Sequence, residues 1–103
     1  MSTAPEPIVV LARWQTQPGA ADAVLALAAA LRRSSLAEPG CLGYEVFRSA
    51  EEPHTLLLLE RYRDASALDA HRQSAHYQDL VVGRILPRLA ARQVELLRPR
   101  DPA

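Results

Sequence analysis

Two apolar runs, Ile8-Val9-Val10-Leu11 and Leu56-Leu57-Leu58-Leu59, constrain this chain more than any other feature. Successive side chains of a strand point to opposite faces, so a sheet with one wet face reads as an apolar and polar alternation. These two runs do not alternate, and each places apolar groups on both faces of the strand it forms. A chain of 103 residues has the size of one domain and buries only about two-thirds of its unfolded surface. Its helices suffice for one sheet face, so the other must be covered from outside the chain. A second copy is the simplest cover, because an isologous pair turns two exposed apolar patches into one interface.

The order of elements follows from periodicity and turn chemistry. Ile8 to Thr16 reads as a first strand, stopped by Gln17-Pro18-Gly19. Between Ala20 and Leu36, Val24, Leu27, Ala28 and Leu31 recur at helical spacing, and Glu38-Pro39-Gly40 closes the segment. Cys41 to Arg48 and Thr55 to Tyr62 form an antiparallel hairpin, since the polar link Ser49 to His54 is too short for a crossover helix. Asp64 caps a short helix through Arg72. Ser74 caps another, with Tyr77, Leu80, Val81 and Ile85 on one stripe and Pro87 at its end. A last strand is expected over Gln93 to Leu97. The order β, α, β, β, α, β predicts an α+β fold of ferredoxin-like βαββαβ topology, an antiparallel sheet with helices on one face. Two such sheets facing each other make a dimeric α+β barrel. One domain over residues 1–103 is expected, with an ordered core at about 8–98 and short loose ends at Met1 to Pro7 and Pro99 to Ala103.

Composition removes several function classes. Hydrophobic residues at 49% and charged ones at 23% describe a globular chain. Twelve basic and twelve acidic residues cancel, leaving no broad field to gather nucleic acid or anionic lipid. All the basic residues are arginine, so lysine Schiff-base chemistry has no side chain to use. No apolar run approaches the ~20 residues needed to span a bilayer. The single Cys41 forms no intramolecular disulfide, and Met1 to Pro7 lacks the basic start and apolar core of a secretory signal. A cytoplasmic protein without nucleic-acid or membrane partners is expected.

The usual phosphate-loop, dinucleotide-binding, nucleophile-elbow and cysteine-metal motifs are absent. Polar aromatic and titratable groups instead concentrate in Glu60-Arg61-Tyr62-Arg63-Asp64 and in Ala70-His71-Arg72-Gln73-Ser74-Ala75-His76-Tyr77. By strand parity Tyr62 shares its face with Glu60, Leu58 and Leu56. Its ring either walls a pocket between sheet and helices, with the hydroxyl on a ligand, or is a packed tyrosine bonded to backbone. His71 and His76 are each a proton shuttle near neutral pH or a helix-end residue bonded locally. Five residues apart on one continuous helix, they would diverge by about 140°, a poor arrangement for sharing a metal ion. A helix break at Gln73-Ser74 would bring them together. Glu45 and Glu60 lie in otherwise apolar strands, as raised-pKa carboxylates or as partners of Arg48 and Arg61. Trp14 and Tyr44 are sheet core or a platform for a planar ligand.

The stretches Glu38-Pro39-Gly40-Cys41-Leu42-Gly43-Tyr44-Glu45, Glu60-Arg61-Tyr62-Arg63-Asp64, Ala70-His71 and Ser74-Ala75-His76-Tyr77 together resemble the antibiotic biosynthesis monooxygenase family over nearly the whole chain. The resemblance implies a homodimer with a pocket in each subunit. It also implies, in the oxidising members, oxygenation of a phenol or quinol by molecular oxygen with no cofactor and no metal. On that basis His71 or His76 accepts the phenolic proton, Tyr62 orients the substrate, and Trp14, Tyr44, Leu58, Glu60 and Tyr77 bind it. Leu58 and Tyr62 stand where anthrone-oxidising members tend to carry asparagine and tryptophan. Ala12 and Val81 stand where haem-degrading relatives carry asparagine and histidine. The resemblance therefore points to the quinol-oxidising members and to the autoinducer-processing isomerases, which share the two histidines. Three functions follow: a cofactor-independent monooxygenase of a quinol or related small aromatic, an isomerase of a small carbonyl compound, or a non-catalytic dimeric module that binds a small molecule.

Overall fold

The computed structural model describes residues 6–100, and all statements of structure refer to these. The strands are β1 (Ile8–Thr16), β2 (Cys41–Arg48), β3 (Thr55–Tyr62) and β4 (Leu89–Leu97). The helices are α1 (Ala21–Leu36), α2 (Ala65–Gln73) and α3 (Tyr77–Ile85), the last followed by a 3₁₀ turn, Leu86–Arg88. The sheet order is β2-β3-β1-β4 with every neighbouring pair antiparallel, which is the ferredoxin-like arrangement expected from the sequence. The residues flanking the core, Glu6, Pro7 and Arg98 to Arg100, carry no regular structure. The remainder of the two expected loose ends, residues 1–5 and 101–103, lies outside the described residues.

Parity sorts the strand residues into two faces. Val10, Ala12, Trp14 and Thr16 of β1, Tyr44 of β2, and Leu56, Leu58, Glu60 and Tyr62 of β3 are buried beneath the helices. The stripe Val24, Ala28, Leu31 and Ser35 of α1 buries against them, and Val81 and Ile85 of α3 complete the main core. Val9, Leu11, Leu57 and Leu59 occupy the other face, where they are only half-buried, and Phe47 on the same face is 46% exposed. The apolar second face read from the two runs is present, and no element of the described residues covers it.

Local chemistry sets the helix boundaries near the site. The Asp64 carboxylate accepts from the Ala67 N–H at 2.9 Å and starts α2. Ser74, with ψ 154°, stops α2; its hydroxyl donates to the His71 carbonyl at 2.6 Å and accepts from the Tyr77 N–H at 3.2 Å. One serine thus ends one helix and caps the next, as expected from its position. From Tyr77 onward α3 is wound as a π-helix, and the Leu86 N–H donates to the Val81 carbonyl five residues back. The wider winding was not legible in a stripe of Tyr77, Leu80, Val81 and Ile85, which suits an α-helix equally well.

Strand four begins at Leu89, four residues before the expected Gln93. Ala90, Ala91 and Arg92 have little strand preference of their own; pairing with β1 supplies it, with Trp14 opposite Arg92 and Gln15 opposite Ala91. The extension carries Arg92 to the sheet edge beside α3.

The loop after α1 touches α2 through a glycine. A Cβ on Gly40 would stand 2.4 Å from the Ala67 Cβ, and the Gly40 carbonyl accepts from the Arg63 N–H at 2.8 Å. Gly40→Ala should therefore destabilise the fold by about 1–3 kcal/mol through overpacking. Gly43→Ala, whose Cβ meets only the Arg61 side chain at 3.6 Å, is the control and should stay within about 0.5 kcal/mol. Chemical denaturation of the two variants measures the difference.

Candidate active site

The titratable groups singled out in the sequence converge from three elements, together with Glu38 of the loop after α1, onto one largely buried cluster. β3 contributes Glu60 and Tyr62 from its helix-covered face, and the Tyr62 hydroxyl donates to Glu60 Oε1 at 2.6 Å. α2 contributes His71, which is 2% exposed. Its Nδ1 lies 2.8 Å from Glu38 Oε2, and its Nε2 lies 3.7 Å from Glu60 Oε1. The first turn after Ser74 contributes His76, whose Nε2 lies 2.5 Å from the same Glu38 oxygen. The break at Ser74 does what one continuous helix could not: the two histidine rings stand with centroids 5.9 Å apart. Glu38, read from the sequence only as part of the turn that ends α1, is the residue that joins them. Its signal was its place in the motif that carries the family resemblance.

The electrostatics of the cluster follow from burial. Loss of water pushes the Glu60 carboxyl up to about 7. The Tyr62 hydrogen bond and the charges of Arg72 and Arg92 oppose that rise, and Glu38 adds to it. The expected ion pair between Glu60 and Arg48 or Arg61 does not form, because Arg61 lies on the opposite face and Arg48 reaches Asp22 at 3.4 Å. Glu45 is exposed on the open face. Burial also pulls His71 below its ordinary value, against the pull of Glu38 in the other direction. The imidazole is therefore neutral near pH 7, and the Glu38 contact assigns its proton to Nδ1, leaving Nε2 as a free acceptor toward Glu60. Burial and the Glu60 charge raise the Tyr62 phenol, and burial first among other causes raises that of Tyr44, so both keep their protons.

A cavity of about 20 Å³ adjoins Glu60 and His71, room for roughly one water molecule. Trp14, Tyr44 and Tyr77 also line it, and Arg72, Arg92 and Val94 stand around it. Arg92 donates to the Tyr77 hydroxyl at 3.2 Å, linking the edge strand to α3. The Trp14 indole N–H is buried and has no hydrogen-bond acceptor among the described residues. Three expected site residues do not line the cavity. Leu58 is packed into the core, Tyr62 stands behind Glu60 with its hydroxyl engaged there, and His76 lies behind Glu38. Arg92 escapes sequence reasoning because Ala90 and Ala91 have little strand preference, so nothing local starts β4 before Gln93.

The raised carboxyl carries a sign. A buried carboxyl whose pKa is above its unfolded value contributes stability at low pH and loses it as pH rises through the folded value. For Glu60 that window runs from the ordinary 4.5 to about 7. Glu60→Gln should therefore gain on the wild type as pH rises across this window, as read by chemical denaturation at its two ends. A stability difference independent of pH would mean that Glu60 is not held protonated by its surroundings.

Comparison with known proteins agrees with this architecture. The sequence profile of the antibiotic biosynthesis monooxygenase family matches residues 7–82. The "Putative monooxygenase Rv0793" of Mycobacterium tuberculosis is 41% identical over 99 residues, spanning 94% of this chain and 95% of that protein. The "Putative monooxygenase YcnE" of Bacillus subtilis is 32% identical over 74 residues, spanning 72% of this chain and 78% of that protein. The solved structure of Rv0793 superimposes with a TM-score of 0.86 at 38% identity, covering 94% of this chain and 98% of that one. The crystal structure of PA3566 from Pseudomonas aeruginosa gives 0.89 at 25% identity, covering 97% and 100%. Family profile, sequence relatives and fold lead to one conclusion: this chain belongs to the antibiotic biosynthesis monooxygenase family.

Proposed function

We propose that the protein is a cofactor-independent monooxygenase that oxidises a quinol or related small aromatic, with His71 as the proton acceptor. The observation that carries this reading is the buried pair of His71 Nε2 and Glu60 Oε1, 3.7 Å apart at the edge of an aromatic-lined cavity. The neutral imidazole is oriented by Glu38, as a base is oriented by a carboxylate in other proton-transfer sites. His71 takes a phenolic proton, and the electron-rich anion then reacts with oxygen in a dry site. One oxygen atom enters the ring and the other leaves as water. The quinol supplies all four electrons and ends as a hydroxyquinone.

Tyr62 is a positioning residue, because its hydroxyl holds Glu60. His76 shares Glu38 with His71 and is 22% exposed in its side chain, a route for the proton toward solvent. The unpartnered Trp14 indole N–H is a donor for a substrate oxygen. The cavity has room for about one water, so an aromatic ring enters only when lining side chains, Arg92 and Tyr77 among them, move apart.

The isomerase reading rests on the same pair, since two groups able to exchange a proton stand side by side at the edge of the cavity. It predicts turnover without oxygen and solvent deuterium in the product. For the monooxygenase, a quinol panel in air with chelator present should give enzyme-dependent oxygen uptake. His71→Asn should lower it by about 10²–10⁴-fold, the usual contribution of a positioned base. Oxygen uptake at the buffer rate across the panel overturns the reading.

The dimeric barrel is part of this proposal, as is a cytoplasmic location, favoured by the lone Cys41. No helix of the described residues is long and apolar enough to cross a membrane. The open face supports the barrel: Val9, Leu11, Leu57 and Leu59 form an apolar centre, with Arg13, Arg61 and Glu45 around it. Leu11→Asp charges that centre and leaves the helix-covered core intact. The wild type should elute as a dimer at micromolar concentration and the variant as a folded monomer; a wild-type monomer refutes the barrel.

A further inference from the structure

We propose that Glu38, His71 and His76 bind one divalent first-row transition-metal ion of the zinc and cobalt class, through His71 Nδ1, His76 Nε2 and a Glu38 carboxylate oxygen. The three donor atoms lie within 4.8 Å of one another, and both imidazole nitrogens aim at one oxygen, at 2.8 Å and 2.5 Å. Donors sharing one tetrahedral ion stand roughly 3.3 Å apart, so the set lies within about 1.5 Å of that spacing. Two imidazoles and one carboxylate suit zinc, cobalt, nickel or iron(II) and are a poor set for magnesium or calcium, which prefer oxygen ligands.

The surroundings of His71 are an independent support. Its second ring nitrogen, Nε2, faces the buried Glu60 carboxyl at 3.7 Å. A metal-ligating histidine usually gives its other N–H to a carboxylate, which fixes the ring and raises its basicity as a ligand. Glu60 is placed for that role, and the Tyr62 hydroxyl holds Glu60 in turn. The site also has an entry path. His71 is enclosed at 2% side-chain exposure, whereas Glu38 and His76 are exposed by 15% and 22%. Solvent fills the remaining coordination positions from that side.

Metal binding goes beyond the oxidation reading, and its readouts need no turnover. An ion on Nδ1 fixes the His71 proton on Nε2. Metal loading and the proton-accepting role of His71, which rests on the reading above, therefore exclude each other.

The test titrates cobalt(II) into the full chain, following visible absorption, and zinc by calorimetry, with magnesium as the negative probe. One ion per chain and a cobalt spectrum of low-coordinate nitrogen and oxygen ligation are expected. His76→Asn, at a partly exposed position that leaves the core untouched, should weaken zinc binding by about 100-fold or more. Glu60→Gln, which removes no ligand, should weaken it by about 10–100-fold. His54 is the only histidine outside the cluster, and His54→Ala should change nothing. Saturating zinc should raise the melting temperature of the wild type and not of His76→Asn. Absence of saturable binding at millimolar metal, or binding that survives His76→Asn unchanged, overturns the proposal.

Discussion

A single carboxylate oxygen holds the working part of this molecule together. Glu38 Oε2 meets His71 from α2 and His76 from the start of α3, and it stands on the loop that leaves α1. Hydrogen bonds to an ionisable group in a buried setting are stronger than those between neutral groups, and removing one partner leaves the others unsatisfied. The positions of α2 and α3 against the sheet are therefore tied to one side chain. Gly40 makes this possible by letting the loop approach Ala67 more closely than any Cβ would allow.

The same arrangement accounts for the chemistry available to the site. A small sheet covered on one side offers little space to hide polar groups, yet Glu60, Tyr62 and His71 all lie within its core. Each is satisfied in sequence: Tyr62 on Glu60, His71 on Glu38, and His76 on the same carboxylate. Loss of water then does the tuning. It raises Glu60 and lowers His71, so the carboxyl holds its proton more tightly than the imidazole, the reverse of their order in water. A neutral imidazole beside a carboxyl that titrates near neutrality suits acid and base work there.

The break between α2 and α3 turns a linear motif into a site. On an unbroken helix, His71 and His76 would face directions about 140° apart. Ser74 stops one helix and caps the next, and the π-wound turns that follow carry Tyr77 over the His71 ring, with centroids 5.2 Å apart. Irregular winding of this kind recurs at functional sites, because it aims side chains that regular helices cannot. The edge strand closes the cavity from the other side through Arg92.

The sequence by itself determined the order of elements, the first three strands, the caps at Asp64 and Ser74, and the shared face of Glu60 and Tyr62. All of these depend on local periodicity or on side chains bonding within a few residues, and such information is written along the chain. It also placed apolar groups on both faces of the sheet. Only the tertiary structure decided that Glu38 joins the two histidines, that Glu60 is buried without an arginine, that β4 begins at Leu89, and that the cavity has room for little more than a water. Those outcomes depend on contacts between residues distant in sequence, such as Glu38 with His71 and Trp14 with Arg92. Burial and pairing of that kind exist only once the helices have settled on the sheet.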